Sequence, residues 1–312
     1  MTESALSDAG IVAHGVRRTF GGVVAVDTMD LDAPPGQVTA LVGPNGAGKT
    51  TLLLVLATLL VPDSGSVSVA GFDPVVQPRE VRRRTGWMPD AFGTWESLTC
   101  REALTTVADA YRLAPAGAAR RIDELLDLMH LGDLADRPTQ VLSRGQKQRL
   151  GLARALVHAP SVLLLDEPAS GLDPRSRVEL RTIVRGLAEA GAAVLVSSHV
   201  LAELDELADR AVIVSGGRTV AVETLAAPST TVRPWSVRAR DVSALVAALD
   251  ALGRPHGTPD DAGAVELEIT SDDDAADLLA ALVRDDVRVV AMQPAGGVLE
   301  QAYLALTSQD RT

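Results

Sequence analysis

Gly43-Pro44-Asn45-Gly46-Ala47-Gly48-Lys49-Thr50 is the stretch whose reading decides the fold. It follows Val38-Thr39-Ala40-Leu41-Val42, an apolar run of strand length, and precedes Thr51 to Leu60, an apolar run expected to be helical. Strand, glycine-rich loop and helix is the context in which a G-x-x-x-x-G-K-[ST] match carries a mechanism. Glycines let successive backbone N–H groups turn inward around an anion, and the positive end of the following helix adds to the attraction. Gly43, Pro44, Asn45, Gly46, Ala47, Gly48, Lys49, Thr50 and Thr51 are therefore expected to cradle nucleotide phosphates. Lys49 would reach the β- and γ-phosphates, and Thr50 would ligate Mg²⁺. The competing reading is a Gly-Pro turn with a surface lysine. It is disfavoured because the flanking strand and helix are right, and the scarcity of lysine supports this: the chain has 29 basic residues yet only two lysines, Lys49 and Lys147.

The 312 residues suffice for one large domain and a smaller one, and 46% hydrophobic content is that of a globular protein. A net charge of −12 argues against nonspecific nucleic-acid binding, which needs a basic surface. The same charge repels a nucleotide at long range, so phosphate binding has to come from the local nest and Mg²⁺. The single cysteine, Cys100, excludes an internal disulfide and a cysteine metal cluster. The longest apolar stretch, Leu52 to Val61, is about ten residues, too short to span a bilayer. Met1-Thr2-Glu3-Ser4 opens no basic-then-apolar leader. The expectation is a cytoplasmic protein that reaches a membrane, if at all, through a partner.

Residues 11–73 read as short strands separated by Gly21-Gly22, Pro34-Pro35-Gly36 and Pro62-Asp63-Ser64-Gly65. Residues 99–160 read as helices, with Thr99 and Glu102 as a capping box. Residues 161–222 alternate apolar strands with helices, one from about Val178 to Ala190 and one from about Val200 to Asp209, which implies a largely parallel sheet covered by helices. From residue 225 the chain carries 7 basic and 14 acidic side chains and a further strand–helix alternation, closing on a helix over Val298–Leu306. Ser271-Asp272-Asp273-Asp274 reads as a capped helix start with acids on its positive end. The expected boundaries are 9–224, with a helical part at about 86–160, and 225–312.

Downstream, Val162-Leu163-Leu164-Leu165-Asp166-Glu167 is a buried strand ending in two acids. Asp166 is placed to hold Mg²⁺ and Glu167 to polarise an attacking water. Before it, Leu142-Ser143-Arg144-Gly145-Gln146 opens a helix and offers a second anion-binding helix end.

With these residues in hand, the chain resembles the ATP-binding-cassette (ABC) ATPases over roughly residues 9–222. The ordered set is Walker A (Gly43–Thr50), signature (Leu142–Gln146), Walker B (Val162–Glu167), D-loop (Ser170-Gly171-Leu172-Asp173) and switch histidine (His199). The resemblance implies an α/β P-loop cassette with a mixed sheet core, an antiparallel β subdomain and a helical subdomain, followed by a small α+β C-terminal domain. It implies ATP and Mg²⁺ as ligands, with Glu167, His199 and Lys49 as the catalytic set and Thr50, Asp90 and Asp166 at the metal. It also implies a head-to-tail homodimer in which Ser143, Gly145 and Gln146 of one copy meet the ATP held by the other, and Asp173 links the two sites. Phe20 aligns with the aromatic that stacks on adenine. Two positions depart from the family pattern: Asp90 stands where glutamine is usual, and Arg144 where glycine is commonest. Arg144 faces either the partner's nucleotide or solvent.

Phe92 and Trp95 lie where the family receives a permease. The run Gly296-Gly297-Val298-Leu299-Glu300-Gln301-Ala302-Tyr303-Leu304-Ala305-Leu306-Thr307 resembles the C-terminal domain of multidrug and antibiotic-resistance exporters, including daunorubicin-resistance-like ones, paired with ABC-2 permeases. The implied function is the ATP-hydrolysing subunit of an exporter, peripheral on the inner face of the cell membrane. The alternative is a soluble non-transport cassette ATPase acting in assembly or remodelling.

Overall fold

The computed structural model describes residues 10–90, 93, 96–225, 233–260, 262–295 and 299. The chain divides into two compact units, Met1–Leu225 and Ala226–Thr312.

The first unit opens with β1 (Ile11–Phe20), β2 (Val23–Ala33), β3 (Val38–Val42), α1 (Lys49–Leu56) and β4 (Ser64–Val69). The turn at Gly21-Gly22 folds β2 back on β1, and β4 takes the other edge of β1, making an antiparallel sheet in the order β2-β1-β4. Then follow α2 (Pro78–Arg84), β5 (Thr85–Met88), α3 (Cys100–Ala110), α4 (Pro115–Leu128), α5 (Arg144–Leu156), β6 (Val162–Asp166), α6 (Pro174–Glu189), β7 (Ala193–Ser198), α7 (Leu201–Leu207), β8 (Arg210–Ser215) and β9 (Arg218–Thr224). A six-stranded sheet runs β5-β6-β7-β3-β8-β9, parallel except where β9 returns antiparallel to β8.

β3, β6 and β7 are buried along their whole length, as their largely apolar sequences require of parallel strands covered on both faces. α1 is apolar nearly all round because it lies in one core with both sheets. Leu52, Leu53 and Leu56 share that core with Ile11, Val16 and Met29 of the antiparallel sheet and with Leu164, Leu195 and Val212 of the parallel one.

The parallel register positions the chemistry. Val42 lies opposite Ser198, and Asp166 opposite Ser197. The glycine-rich loop after β3, the acids at the end of β6 and the Ser-Ser-His run at the end of β7 thus leave the sheet at the same edge, the carboxyl ends where α/β sheets bind ligands.

Several element ends differ from the sequence reading. α1 stops at Leu56 rather than Leu60. Thr58 turns to φ 64°, and the N–H groups of Leu59 and Leu60 both return to the Leu54 carbonyl, closing the helix ahead of Pro62. α6 starts at Pro174 rather than Val178, because Asp173 caps it by accepting from Ser176 N at 3.0 Å and Pro174 suits the first helical position. α7 is shorter at both ends than the expected Val200–Asp209. The Thr99–Glu102 capping box forms in both directions. Phe92 and Trp95 lie outside the described residues. Among the described residues, no helix is long and apolar enough to cross a membrane.

The second unit holds β10 (Arg233–Ala239), α8 (Val242–Ala251), β11 (Ala264–Ile269), α9 (Asp272–Arg284) and β12 (Val289–Pro294). β10 lies between β11 and β12 and is antiparallel to both. Val237, Leu245, Leu249, Val265, Leu267, Leu278 and Leu282 form its core. The expected closing helix over Val298–Leu306, and the run from Gly296 that carried the C-terminal resemblance, lie outside the described residues apart from Leu299.

Ser271 caps α9 by accepting from Asp274 N at 3.1 Å. Asp274 itself takes the Arg254 guanidinium and, at 3.0 Å each, the N–H and hydroxyl of Thr270. The Arg254 bond first, then the Thr270 N–H, hold its carboxyl well below the usual 3.8, at about 2. A carboxylate whose pKa falls on folding stabilises the fold above its unfolded pKa, and that contribution is lost as pH drops through the folded value. Asp274→Asn is therefore expected to weaken hydrogen-exchange protection of α9 at neutral pH. The gap to the native chain should close as pH falls from 3.8 towards about 2. A gap that is constant over that range would contradict the assignment.

Candidate active site

The loop between β3 and α1 is shaped by close approach. Gly48 has φ 95°, and a Cβ there would lie 2.4 Å from the Ala25 carbonyl oxygen of β2. A Cβ on Gly43 would lie 2.3 Å from the Val214 carbonyl oxygen. The loop is thus pressed between two strands and can be built only with glycine at these points.

Lys49, 7% exposed, curls back so that Nζ donates to the carbonyl oxygens of Gly43 at 2.6 Å and Pro44 at 3.2 Å. Burial lowers its pKa, opposed by the nearby carboxylates of Glu167 and Asp166. An ammonium has three donors. Two are spent on the loop, which leaves one for an anion lying in it.

Asp166, 3% exposed, accepts from the Thr50 hydroxyl at 2.9 Å through one oxygen and from the Ser197 hydroxyl at 2.5 Å through the other. Glu167 follows with φ 49°, a left-handed conformation that non-glycine residues seldom adopt. Its N–H donates to the Ser197 carbonyl oxygen at 3.1 Å, which anchors the turn to β7. The Glu167 carboxylate accepts from His199 Nδ1 at 2.9 Å. A carboxylate only accepts, so the imidazole carries its proton on Nδ1 in this pairing and leaves Nε2 as its other ring nitrogen.

A cleft of about 320 Å³ is lined by Ala25, the loop from Asn45 to Thr51, Asp90, Asp166 and Glu167. The structure thus brings Asn45, Gly46, Ala47, Gly48, Lys49, Thr50, Thr51, Asp90, Asp166 and Glu167 to one place, with His199 tied to it through Glu167.

Gly43 and Pro44 stand behind these residues in the same loop, holding Lys49, while Phe20, Ser143, Gly145, Gln146 and Asp173 do not line this cleft. Phe20 ends β1, 43% exposed, with the Arg18 guanidinium 4.8 Å from its ring centre. Ser143 and Gln146 satisfy each other across the start of α5. Gln146 N donates to the Ser143 hydroxyl at 3.3 Å, and Ser143 N donates to the Gln146 side chain at 2.8 Å. Asp173 is held at the start of α6, where its bonds to the Ser176 hydroxyl and N–H lower its pKa. Arg144 is exposed, in keeping with the solvent-facing alternative. Its guanidinium turns onto the D-loop of its own chain and donates to the Ser170 hydroxyl at 2.7 Å.

Three residues escaped the sequence reading. Ser197 braces both acids, and its only sequence signal is a polar pair, Ser197-Ser198, at the end of an apolar strand. Ala25 walls the cleft from β2, and Gln148 reaches the turn after β6; neither has a local signal.

The oxygens of Thr50, Asp166 and Asp90 are hard donors suited to Mg²⁺. Among the described residues no group of three or more His, Cys, Asp or Glu forms an all-protein metal cage. That pairing fits an ion held by one or two protein oxygens and completed by phosphates and water.

Residues 26–170 match the family model described as ABC transporter. Over 211 residues the chain is 42% identical to the daunorubicin/doxorubicin resistance ATP-binding protein DrrA of Streptomyces peucetius, covering 68% of this chain and 64% of that one. It is 37% identical over 216 residues to the Nod factor export ATP-binding protein I of Burkholderia thailandensis, covering 69% and 71%. The dimeric structure of MJ0796, a bacterial ABC transporter cassette, superposes with a TM-score of 0.64 at 25% identity, covering 70% of this chain and 99% of that one. The order of the motifs, the cleft they build and these likenesses agree: the chain belongs to the ABC transporter family, among its ATP-binding proteins.

Proposed function

We propose that this chain is the ATP-hydrolysing subunit of an ABC exporter. It would act as a head-to-tail homodimer on a separate ABC-2-type permease at the inner face of the cell membrane. The observation that carries the catalytic part is the Glu167–His199 pair at the mouth of the phosphate cleft. The names of the relatives, resistance and export, favour the exporter over an assembly or remodelling ATPase. Dimerisation is supported by the MJ0796 cassette and by the site itself: Ser143, Gly145 and Gln146 lie away from the cleft of their own chain, where a second copy could use them.

ATP is the substrate. The inward N–H groups of the loop and the free donor of Lys49 would bind its β- and γ-phosphates. Mg²⁺, held by Thr50 and Asp166 with Asp90 beside them, would supply charge neutralisation to the phosphate oxygens. Glu167 would orient the attacking water and accept its proton as the water oxygen bonds to the γ-phosphorus and the bond to the β–γ bridging oxygen breaks. His199 keeps the Glu167 carboxylate aimed.

Two outcomes are expected. Glu167→Gln keeps the shape and removes the base, so turnover should fall by about 10²-fold or more while ATP still binds and drives dimerisation. A monomer at saturating ATP by light scattering would contradict the proposal. Lys49→Ala loses the only lysine in the loop and should lose nucleotide binding or hydrolysis, read by fluorescent-nucleotide titration and phosphate release. Full turnover in that variant would remove the phosphate-loop assignment. A third expectation concerns the metal: Asp90→Ala should shift the Mg²⁺ dependence of turnover, and an unchanged dependence would take Asp90 out of the metal site.

A further inference from the structure

The first turn of α5 touches the segment that carries Glu167 at successive points, all within the same chain. Arg144 Nη2 donates to the Ser170 hydroxyl at 2.7 Å. The rest of that side chain lies on the backbone of Gly171, where φ is 73° and a Cβ would stand 2.5 Å from Arg144 Nε. A side chain at position 171 would be strained by the left-handed conformation and would displace Arg144. A Cβ on Gly145 would lie 3.3 Å from Leu172 Cδ2. One turn on from Arg144, and so on the same face of the helix, the nearly buried amide of Gln148 donates to the carbonyl oxygens of Glu167 and Ser170 at 3.4 Å each.

Two features of this face lack an explanation in helix stability. A guanidinium in the first turn sits at the positive end of the helix dipole, where cations are disfavoured. A buried amide is costly unless it is bonded, and a leucine would pack there without that cost. Both side chains aim at the same short segment. That segment includes the one left-handed residue the catalytic reading depends on, Glu167 at φ 49°. From the other side the turn is held by strand β7, through Ser197, and within itself Ser170 N donates to the Glu167 carbonyl oxygen at 3.0 Å.

We propose that the Arg144–Gln148 face of α5 is a brace for Glu167, with Arg144 and Gln148 as positioning residues. Gln148 shares the Glu167 carbonyl oxygen with Ser170 N, which donates to it at 3.0 Å, and reaches on to the Ser170 carbonyl, so that it ties the left-handed turn that aims the carboxylate to α5. Arg144 fixes Ser170 and Gly171, the residues that follow the turn. The signature helix and the catalytic glutamate of one chain then move as a unit, so displacement at the start of α5 is felt at Glu167 without passing through a second subunit. The catalytic half of this inference rests on the ATPase reading above.

The test uses the full chain without nucleotide and follows hydrogen exchange over residues 167–173. Arg144→Ala and Gln148→Leu should each speed exchange by about tenfold. Ser170→Ala should match Arg144→Ala, and the double variant should add nothing, as expected of partners in one contact. Arg144→Lys, which can still donate to Ser170, should restore part of the protection. In steady-state ATP hydrolysis both single variants should lower kcat by about tenfold with KM for ATP within about twofold of native. Unchanged exchange in Arg144→Ala, an exposed position whose replacement leaves the core intact, would overturn the brace. So would a raised KM with native kcat, since it would place Arg144 on the nucleotide itself. A native chain that exchanges as expected but does not hydrolyse ATP would remove the ATPase reading and leave the brace standing.

Discussion

The carboxylate of Asp166 is the tie on which the rest of the site depends. One oxygen takes the Thr50 hydroxyl at the start of α1, and the other takes the Ser197 hydroxyl at the end of β7. Three neighbouring strands, β3, β6 and β7, are thereby joined at the edge where their chains leave the sheet. A buried carboxylate would be costly alone. Here it is bonded at both oxygens, and it fixes the height of the phosphate loop relative to Glu167. The sheet register does the coarse positioning and this three-way contact the fine.

Charge shapes the site at two scales. The chain as a whole is acidic and would repel a polyanion. The cleft answers locally, with a loop whose glycines admit backbone N–H groups to the ligand and a lysine already held in place by Gly43 and Pro44. Such preorganisation limits the ordering that binding has to bring about. Within the acidic second unit, Asp274 is engaged locally by Arg254 and Thr270.

What was legible in the sequence was local. The strand–loop–helix context of Gly43–Thr50, the apolar run ending in Asp166-Glu167 and the capping pair Thr99–Glu102 each complete themselves within a few residues, so pattern suffices to find them. The order of the motifs then fixed the fold class. Contacts made across the fold were not legible. Ser197 meets Asp166 only because β6 and β7 are neighbours in register. Arg144 was expected to face the partner's nucleotide or solvent; it is exposed, and the contact it also makes with Gly171 exists because α5 is packed against the turn after β6. Helix ends failed for a related reason. The apolar run of α1 continues to Leu60, but Thr58 adopts a left-handed conformation and ends the helix at Leu56. The Asp173-Pro174 start of α6, a capping residue followed by proline, is by contrast a local signal.

β5 and β6 are adjacent parallel strands, with Met88 opposite Leu165. Asp90 therefore reaches the cleft two residues after β5 ends, and Asp166 at the end of β6, while α3, α4 and α5 all lie on the excursion between them. The sheet behaves as a ruler, and the excursion is hung from two fixed marks on it. Over evolutionary time, residues between α3 and α4 can be gained, lost or recoloured without altering the span from Asp90 to Asp166. The outline such a chain offers to other molecules can diverge quickly while its phosphate chemistry stays still.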